Sequence, residues 1–326
     1  MSGMMLRRLW LGCTLAFAVA TLMNWKYGAM FAPLLVLVLL SRLQRWNGAT
    51  VGRMLLAIAT ICLVGNLIIG FLQPYPPLMF AAVALWMAMN CIAMTHPATY
   101  MMGYAGMAVG SMFLNVGSFG GFDLVDFTLD LLMAALLASL VTALMFLAFP
   151  SPSSPPVQPA AQPDPRELTR NLKICWTLVM LIFTAFQALD LADSMAAQGA
   201  AILVVAPMNF SGSLLAARMR IIGTILGCSA AIALQLLLYT WMDNLILYLL
   251  GFTLAFGLFA YWVCQGGEHG GIGFAAASAL VVLLCGVVPG QADLFFSSLY
   301  RFSSILITVT MTTLMLMMFH RWQPAR

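Results

Sequence analysis

Charge is what this sequence has least of. Asp, Glu, Lys and Arg make up 7% of the 326 residues, against 63% for the hydrophobic set. Soluble domains carry about a quarter of their residues charged, so the composition excludes that class and points to a polytopic membrane protein in contact with a lipid bilayer. Site-building spacings are also absent. The seven cysteines, from Cys13 to Cys285, stand singly inside apolar runs, with no CxxC pair and no histidine at ligand spacing. They read as small core residues, and neither a disulfide framework nor a metal site is expected. No Walker A motif occurs, which argues against ATP-driven transport by this chain alone. No nucleophile stands beside a base, so no enzyme, catalytic residue or cofactor is expected, and nothing points to nucleic acid. The glycine-rich run from Gly266 to Gly273 follows no strand and is not a nucleotide fingerprint.

What is present is organised around Pro150 to Pro165, PSPSSPPVQPAAQPDP, which holds seven of the fifteen prolines. Such a stretch cannot bury enough apolar surface to offset the entropy of ordering, and it reads as a semi-rigid linker. The predicted organisation is a first transmembrane repeat over 1–149, a linker over 150–168 and a second repeat over 169–326. The N-terminus resembles a signal peptide and Leu11-Gly12-Cys13 hints at a lipobox. Too few apolar residues precede Cys13, however, and an uncleaved first transmembrane helix is expected.

A crossing helix needs roughly 17 to 25 apolar residues. Breaking the chain at its polar, Gly and Pro points predicts six spans per half. In the first half they run Leu9 to Met23, Tyr27 to Leu40, Gly52 to Leu72, Pro77 to Met94, Ala98 to Val116 and Leu124 to Phe149. In the second they run Leu172 to Leu189, Met195 to Met208, Met219 to Trp241, Leu245 to Cys264, Gly271 to Val288 and Phe295 to Phe319. The second span of each half is the weakest of the six.

With an even number of spans per half, linker and termini share one side. Twelve of the fourteen Lys and Arg residues fall there, leaving Lys26 opposite and Arg301 within a span. That bias predicts a multi-pass protein with both termini in the cytoplasm. Asp123, Asp126, Asp130, Asp190, Asp193, Asp243 and Asp293 gather at the other ends. Sliding by 162 residues lays Leu6, Arg8 and Cys13 on Leu168, Arg170 and Cys175, and each half has a basic turn before its third span. The expected fold is therefore all-α, with about twelve helices as two parallel six-helix repeats and a pathway between them.

The six-plus-six layout, the run Arg218-Met-Arg220-Ile-Ile-Gly223-Thr224-Ile-Leu-Gly227 opening a third helix, and Tyr300-Arg301-Phe302 opening the last one give the chain a family likeness. It resembles the fusaric-acid-resistance-type (FUSC-like) transporters of the aromatic acid exporter family, in a short form without their large cytoplasmic domain; the first half keeps only a remnant of the arginine pattern, at Arg53. The resemblance implies an inner-membrane efflux component for aromatic carboxylates or similar amphiphiles. It also implies work with a periplasmic membrane-fusion adaptor, an outer-membrane channel and further copies of the chain.

Four arginines are expected to meet an anionic substrate: Arg53, Arg218 and Arg220 as a basic ring at the cytoplasmic entrance, and Arg301 inside a span. Nineteen residues separate Arg301 from His320, or about 28 Å at ~1.5 Å per residue, so Arg301 lies near the outer boundary, where it either binds a carboxylate, pairs with an aspartate or snorkels. Asp123, Asp126 and Asp130 share a helical face; Asp123 suits a helix start, whereas Asp126 and Asp130 are candidates for gating or proton coupling. His96 and His269 fall in corresponding turns and are proton-handling candidates beside a solvated-loop reading. Gly103, Gly106 and Gly110 recur as Gly270, Gly271 and Gly273, which serves close helix packing or broken helices along a path. The favoured function is a secondary efflux transporter for small organic anions or amphiphilic drugs, driven by the proton gradient or membrane potential; the alternative is a channel-like or scaffold subunit of an efflux assembly.

Overall fold

The computed structural model describes residues 2–23, 25, 29–119, 123–150, 165–189, 191, 194–241, 244–285 and 294–322. Among these the chain is all-helical, with twelve α-helices and no strand. The first half contributes α1 (Ser2–Leu22), α2 (Phe31–Arg42), α3 (Gly48–Leu72), α4 (Pro76–Ala93), α5 (Tyr100–Ser118) and α6 (Leu124–Ala148). The second contributes α7 (Pro165–Ala188), α8 (Met195–Val205), α9 (Phe210–Leu237), α10 (Leu245–Gln265), α11 (Gly267–Cys285) and α12 (Leu294–Trp322). The linker between Pro150 and Pro165, Lys26, Asp190, Asp193, Asp243 and Asp293 lie outside the described residues.

Helix starts are set by local chemistry. Asn244 Oδ1 accepts from the N–H groups of Ile246 and Leu247, at 3.1 and 3.3 Å, and so caps α10. Asn47 does the same for Ala49 and Thr50 of α3. Asp123 Oδ1 accepts from Val125 N–H at 3.0 Å, which makes it a cap for α6. Pro76 and Pro77 open α4, where the missing N–H costs nothing. Between α10 and α11, Gly266 and Gly267 take φ of 72° and 58°, a left-handed bend that side chains resist.

Lengths and faces establish the membrane character. Nine of the described helices are long and apolar enough to cross a bilayer. On α6, Val125, Leu129, Met133, Leu136, Leu140 and Leu144 form an exposed stripe at helical spacing, with Phe127, Leu131, Ala134, Ala138, Val141 and Met145 buried opposite. A helix apolar on both its exposed and buried faces is stable where the outer solvent is hydrocarbon. α10 repeats the pattern with Ile246, Leu250, Leu254 and Leu258 exposed.

Two helices depart from expectation in length. α2 has 12 residues and α8 has 11, so at ~1.5 Å per residue they reach only about 18 and 17 Å, against ~30 Å of hydrocarbon. Both are almost wholly buried, from Phe31 to Leu40 in α2 and from Ala197 to Val205 in α8. α5 has 19 residues, 12 of them buried, but its Gly, Ser and Asn content keeps it outside the nine.

The chain divides into two compact units, neither of which coincides with a half of the sequence. Unit 1 holds α1, α2, α6 from Asp126, α9 from Met219, α10, α11 and α12 up to Ser303; unit 2 holds α3 from Gly52, α4, α5, α7, α8, α9 up to Arg218 and α12 from Ser304. Raising the helix numbers of α1, α2, α6, α9, α10 and α11 by six, counted cyclically, gives α7, α8, α12, α3, α4 and α5 of unit 2, while the part of α12 in unit 1 and the part of α9 in unit 2 fall outside this correspondence. Inside unit 1, α1 packs on α2 and α10, α10 on α11, and α11 on α2. Inside unit 2 the corresponding helices do the same: α7 on α8 and α4, α4 on α5, and α5 on α8. An indole repeats this correspondence. Trp10 Nε1 of α1 donates to the Thr253 carbonyl of α10 at 2.7 Å, and Trp176 Nε1 of α7 donates to the Ala84 carbonyl of α4 at 2.9 Å.

Candidate functional site

The inner helices α5 and α11 carry the polar interior, and both have 19 residues. Glycine stands fourth and seventh in each, Gly103 and Gly106 against Gly270 and Gly273, and serine stands twelfth, Ser111 against Ser278. A Cβ on Gly106 would fall on the Asn90 amide of α4, and one on Gly273 would meet the α10 backbone at Val263 and Phe259. The glycines thus permit the close approach of α4 to α5 and of α10 to α11.

In unit 1 the inner helix α11 is met by arginines. Arg220 of α9 is half-buried, and its Nη1 donates to Ser278 Oγ at 2.9 Å, while Ser278 donates to the Ala275 carbonyl at 2.8 Å. Arg301 of α12, also half-buried, donates from Nη1 to the Val282 carbonyl at 3.3 Å. α11 therefore receives both arginines one turn apart. Asp126 and Asp130 are half-buried on the first two turns of α6, and His269 is exposed in the first turn of α11.

Unit 2 holds the remaining predicted residues. Arg53 is exposed and donates to the Ala98 carbonyl at 3.1 Å; Arg218 is exposed on α9; His96 is exposed in the turn between α4 and α5. Arg218 and Arg220, paired in the sequence reading, fall in different units and in different environments.

The interior of unit 2 is neutral and amide-rich, and sequence reasoning missed it. Asn115 Nδ2 donates to Gln198 Oε1 at 3.1 Å, and Gln198 Nε2 donates to the Ser111 carbonyl at 3.3 Å, which ties α5 to α8. Ser118 donates to Gln187 Oε1 of α7 at 3.0 Å, and Gln73, in the turn after α3, donates to the Ser118 carbonyl at 2.9 Å. Asn115 is 1% exposed, and its Oδ1 has no hydrogen-bond partner among the described residues. Amides inside apolar helices are costly to bury, and that cost was the available signal.

Unit 2 also contains a cavity of about 300 Å³ at the basic ends of its helices. α7 supplies Glu167, Arg170 and Asn171 above Ile174 and Cys175. The bend from α8 into α9 supplies Met208, Asn209, Ser211 and Ser213, and α12 supplies Leu316 and His320. Met208 has φ of 51°, the one positive φ outside glycine among the described residues, and this turns the chain sharply around the opening. Asn209 then caps α9, its Oδ1 accepting from Gly212 N–H at 2.6 Å and from Ser211 Oγ at 3.3 Å. The rings of Phe210 and His320 stack with centroids 3.9 Å apart and 10° between planes. The volume is at the lower end for a small-molecule pocket, and the lining mixes polar groups with apolar side chains such as Ile174, Val205 and Leu316.

Residues 6–145 match the model of a family described as a protein of unknown function (DUF2955). That stretch covers less than half of the 326 residues and runs from the first turns of α1 to the last turn of α6. No curated protein and no solved structure matches the chain.

Proposed function

We propose that the protein is a secondary transporter of small organic anions in the bacterial inner membrane, built from two parallel six-helix repeats with both termini cytoplasmic. The observation that carries the reading is the pair of short, buried helices, α2 and α8. They occupy the same place in each half, and each packs on the glycine-rich inner helix of its unit, α11 or α5. Within a bilayer, helices that stop short are tolerated where protein buries their ends or where they line a cavity, and paired interrupted helices mark transport sites.

Three further observations support it. The cyclic helix correspondence between the units is what a duplicated six-helix gene with exchanged packing would produce. The stretch that matches a family model spans one six-helix half. Basic residues gather in the first turns of α7, at Arg166 and Arg170, and more than two turns into α9, at Arg218 and Arg220, on the side where a cytoplasmic anion would first be attracted. The sequence resemblance to aromatic acid exporters supplies the substrate class and the partnership with a periplasmic adaptor.

The test is transport by purified protein in proteoliposomes loaded with radiolabelled benzoate, with and without an imposed pH gradient. Gradient-dependent flux, lowered by Arg220→Gln at unchanged protein insertion, is the expected result. No flux of benzoate or of other organic anions above empty liposomes removes the reading; flux indifferent to the gradient replaces energised transport with a channel.

A further inference from the structure

The cavity of unit 2 carries charges of both signs, which a site for a plain anion does not need. Glu167 and Arg170 stand three residues apart on α7, so they share one face of the helix, and both line the cavity. Among the described residues neither is held in an ion pair, and both remain available to a ligand. Glu167 is exposed and Arg170 half-buried. A carboxylate docked on Arg170 would lie close to a second carboxylate that repels it. A molecule carrying an ammonium beside its own carboxylate turns that repulsion into attraction, because each charge finds its opposite.

The rest of the lining selects the body of such a molecule. Ile174 and Leu316 are apolar, and the stacked Phe210 and His320 rings present a flat surface. A volume of about 300 Å³ is at the lower end for ligand pockets and suits a molecule with one or two rings. We infer that this cavity binds a small zwitterion, an α-amino acid or close relative with an apolar or aromatic side chain. Its carboxylate meets Arg170, its ammonium meets Glu167, and its side chain lies against the Phe210–His320 stack. This site stands apart from the anion-transport reading, since it rests on the cavity alone and adds a second ligand class.

Three probes that differ only in charge test it by equilibrium titration of the purified full chain in detergent: phenylalanine, 3-phenylpropionate and 2-phenylethylamine. Phenylalanine is expected to bind about tenfold more tightly than either analogue. Glu167→Gln removes its advantage over phenylpropionate and leaves phenylpropionate binding intact or tighter. Arg170→Gln removes its advantage over phenylethylamine and leaves that amine bound. Each variant thus retains one ligand that reports a folded cavity, and Ser211→Phe, which obstructs the opening, abolishes all three. Equal affinity for the three probes, absence of phenylalanine binding, or an advantage that survives both charge substitutions overturns the proposal. None of these readouts involves flux, so failure here leaves the transport test standing, and failure there leaves this one.

Discussion

The cores of unit 1 and unit 2, α1, α2, α10 and α11 against α7, α8, α4 and α5, are packed by corresponding contacts, yet their interiors use different chemistry. The inner helix of unit 1 takes arginines at Ser278 and Val282, the twelfth and sixteenth residues of α11. The inner helix of unit 2 has Ser111 and Asn115 at those same two positions, and both belong to an amide chain with Gln198. Guanidinium groups are always charged and must be drawn to an anion or to carbonyl dipoles. Amides are neutral and hold neighbours in register by directional bonds. The comparison teaches that one framework can host a charged and an uncharged interior because the small residues on α5 and α11 set helix spacing, while neighbouring helices supply the polar groups.

The largest test of that framework uses its equivalent glycines. Gly273→Ala pushes a methyl against the α10 backbone at Val263 and Phe259, which cannot move aside, whereas Gly106→Ala meets the Asn90 side chain, which can rotate. Thermal unfolding in detergent should show a cost of about 3 kcal/mol for the first and about 1 kcal/mol for the second. Equal costs would mean that the two inner helices do not pack as described.

Next comes the amide chain. Gln198→Leu leaves the buried Asn115 Nδ2 donor unmatched and should cost about 2 kcal/mol. Adding Asn115→Leu should restore most of it, since removing both partners is far cheaper than orphaning one. A double variant as unstable as the single one would break the assignment.

The serines give a sharper contrast. Ser278→Ala removes one acceptor of Arg220 and should cost about 1.5 kcal/mol, as expected for a bond to a charged group. Ser111→Ala removes only a hydroxyl that bonds the Ala108 carbonyl of its own helix, while its backbone carbonyl still serves Gln198, so the change should stay under about 0.5 kcal/mol. Reversal of that order would show that the two units are not distinguished by what they present to this position.

The smallest effect belongs to the exposed cation. Arg218→Gln should change benzoate flux less than about twofold, whereas Arg220→Gln should lower it about tenfold, because only the half-buried guanidinium acts with little solvent screening. Matching losses would restore the two arginines as a single entrance ring.

Most of the helices could be read from the chain, and their interior chemistry mostly could not. All twelve helices overlap the spans marked out by hydropathy and breaker residues, and the short reach of α2 and α8 was visible as thin apolar runs at Tyr27 to Leu40 and Met195 to Met208. The bonds of Arg220 and Arg301 needed the structure, because the sequence places a charge in a span without naming its acceptor. Asn115 and Gln198 were overlooked among apolar neighbours although they are 83 positions apart and directly bonded. The cavity draws on residues near 170, 210 and 320, which no local pattern links.

By itself, then, the amino-acid order determined that this chain is a bundle of apolar helices in a membrane, with positive charge gathered at one set of ends. Solvent decides those features residue by residue: each side chain's cost of transfer into hydrocarbon acts locally, and the linear pattern records it. Only the tertiary structure decided that compact units would draw helices from both halves, that one inner helix would be met by arginines and the other by an amide chain, and that Glu167, Arg170 and His320 would share a cavity. Those outcomes depend on which helix surfaces fit against one another, and such pairwise matches between distant segments leave no periodic trace along the chain.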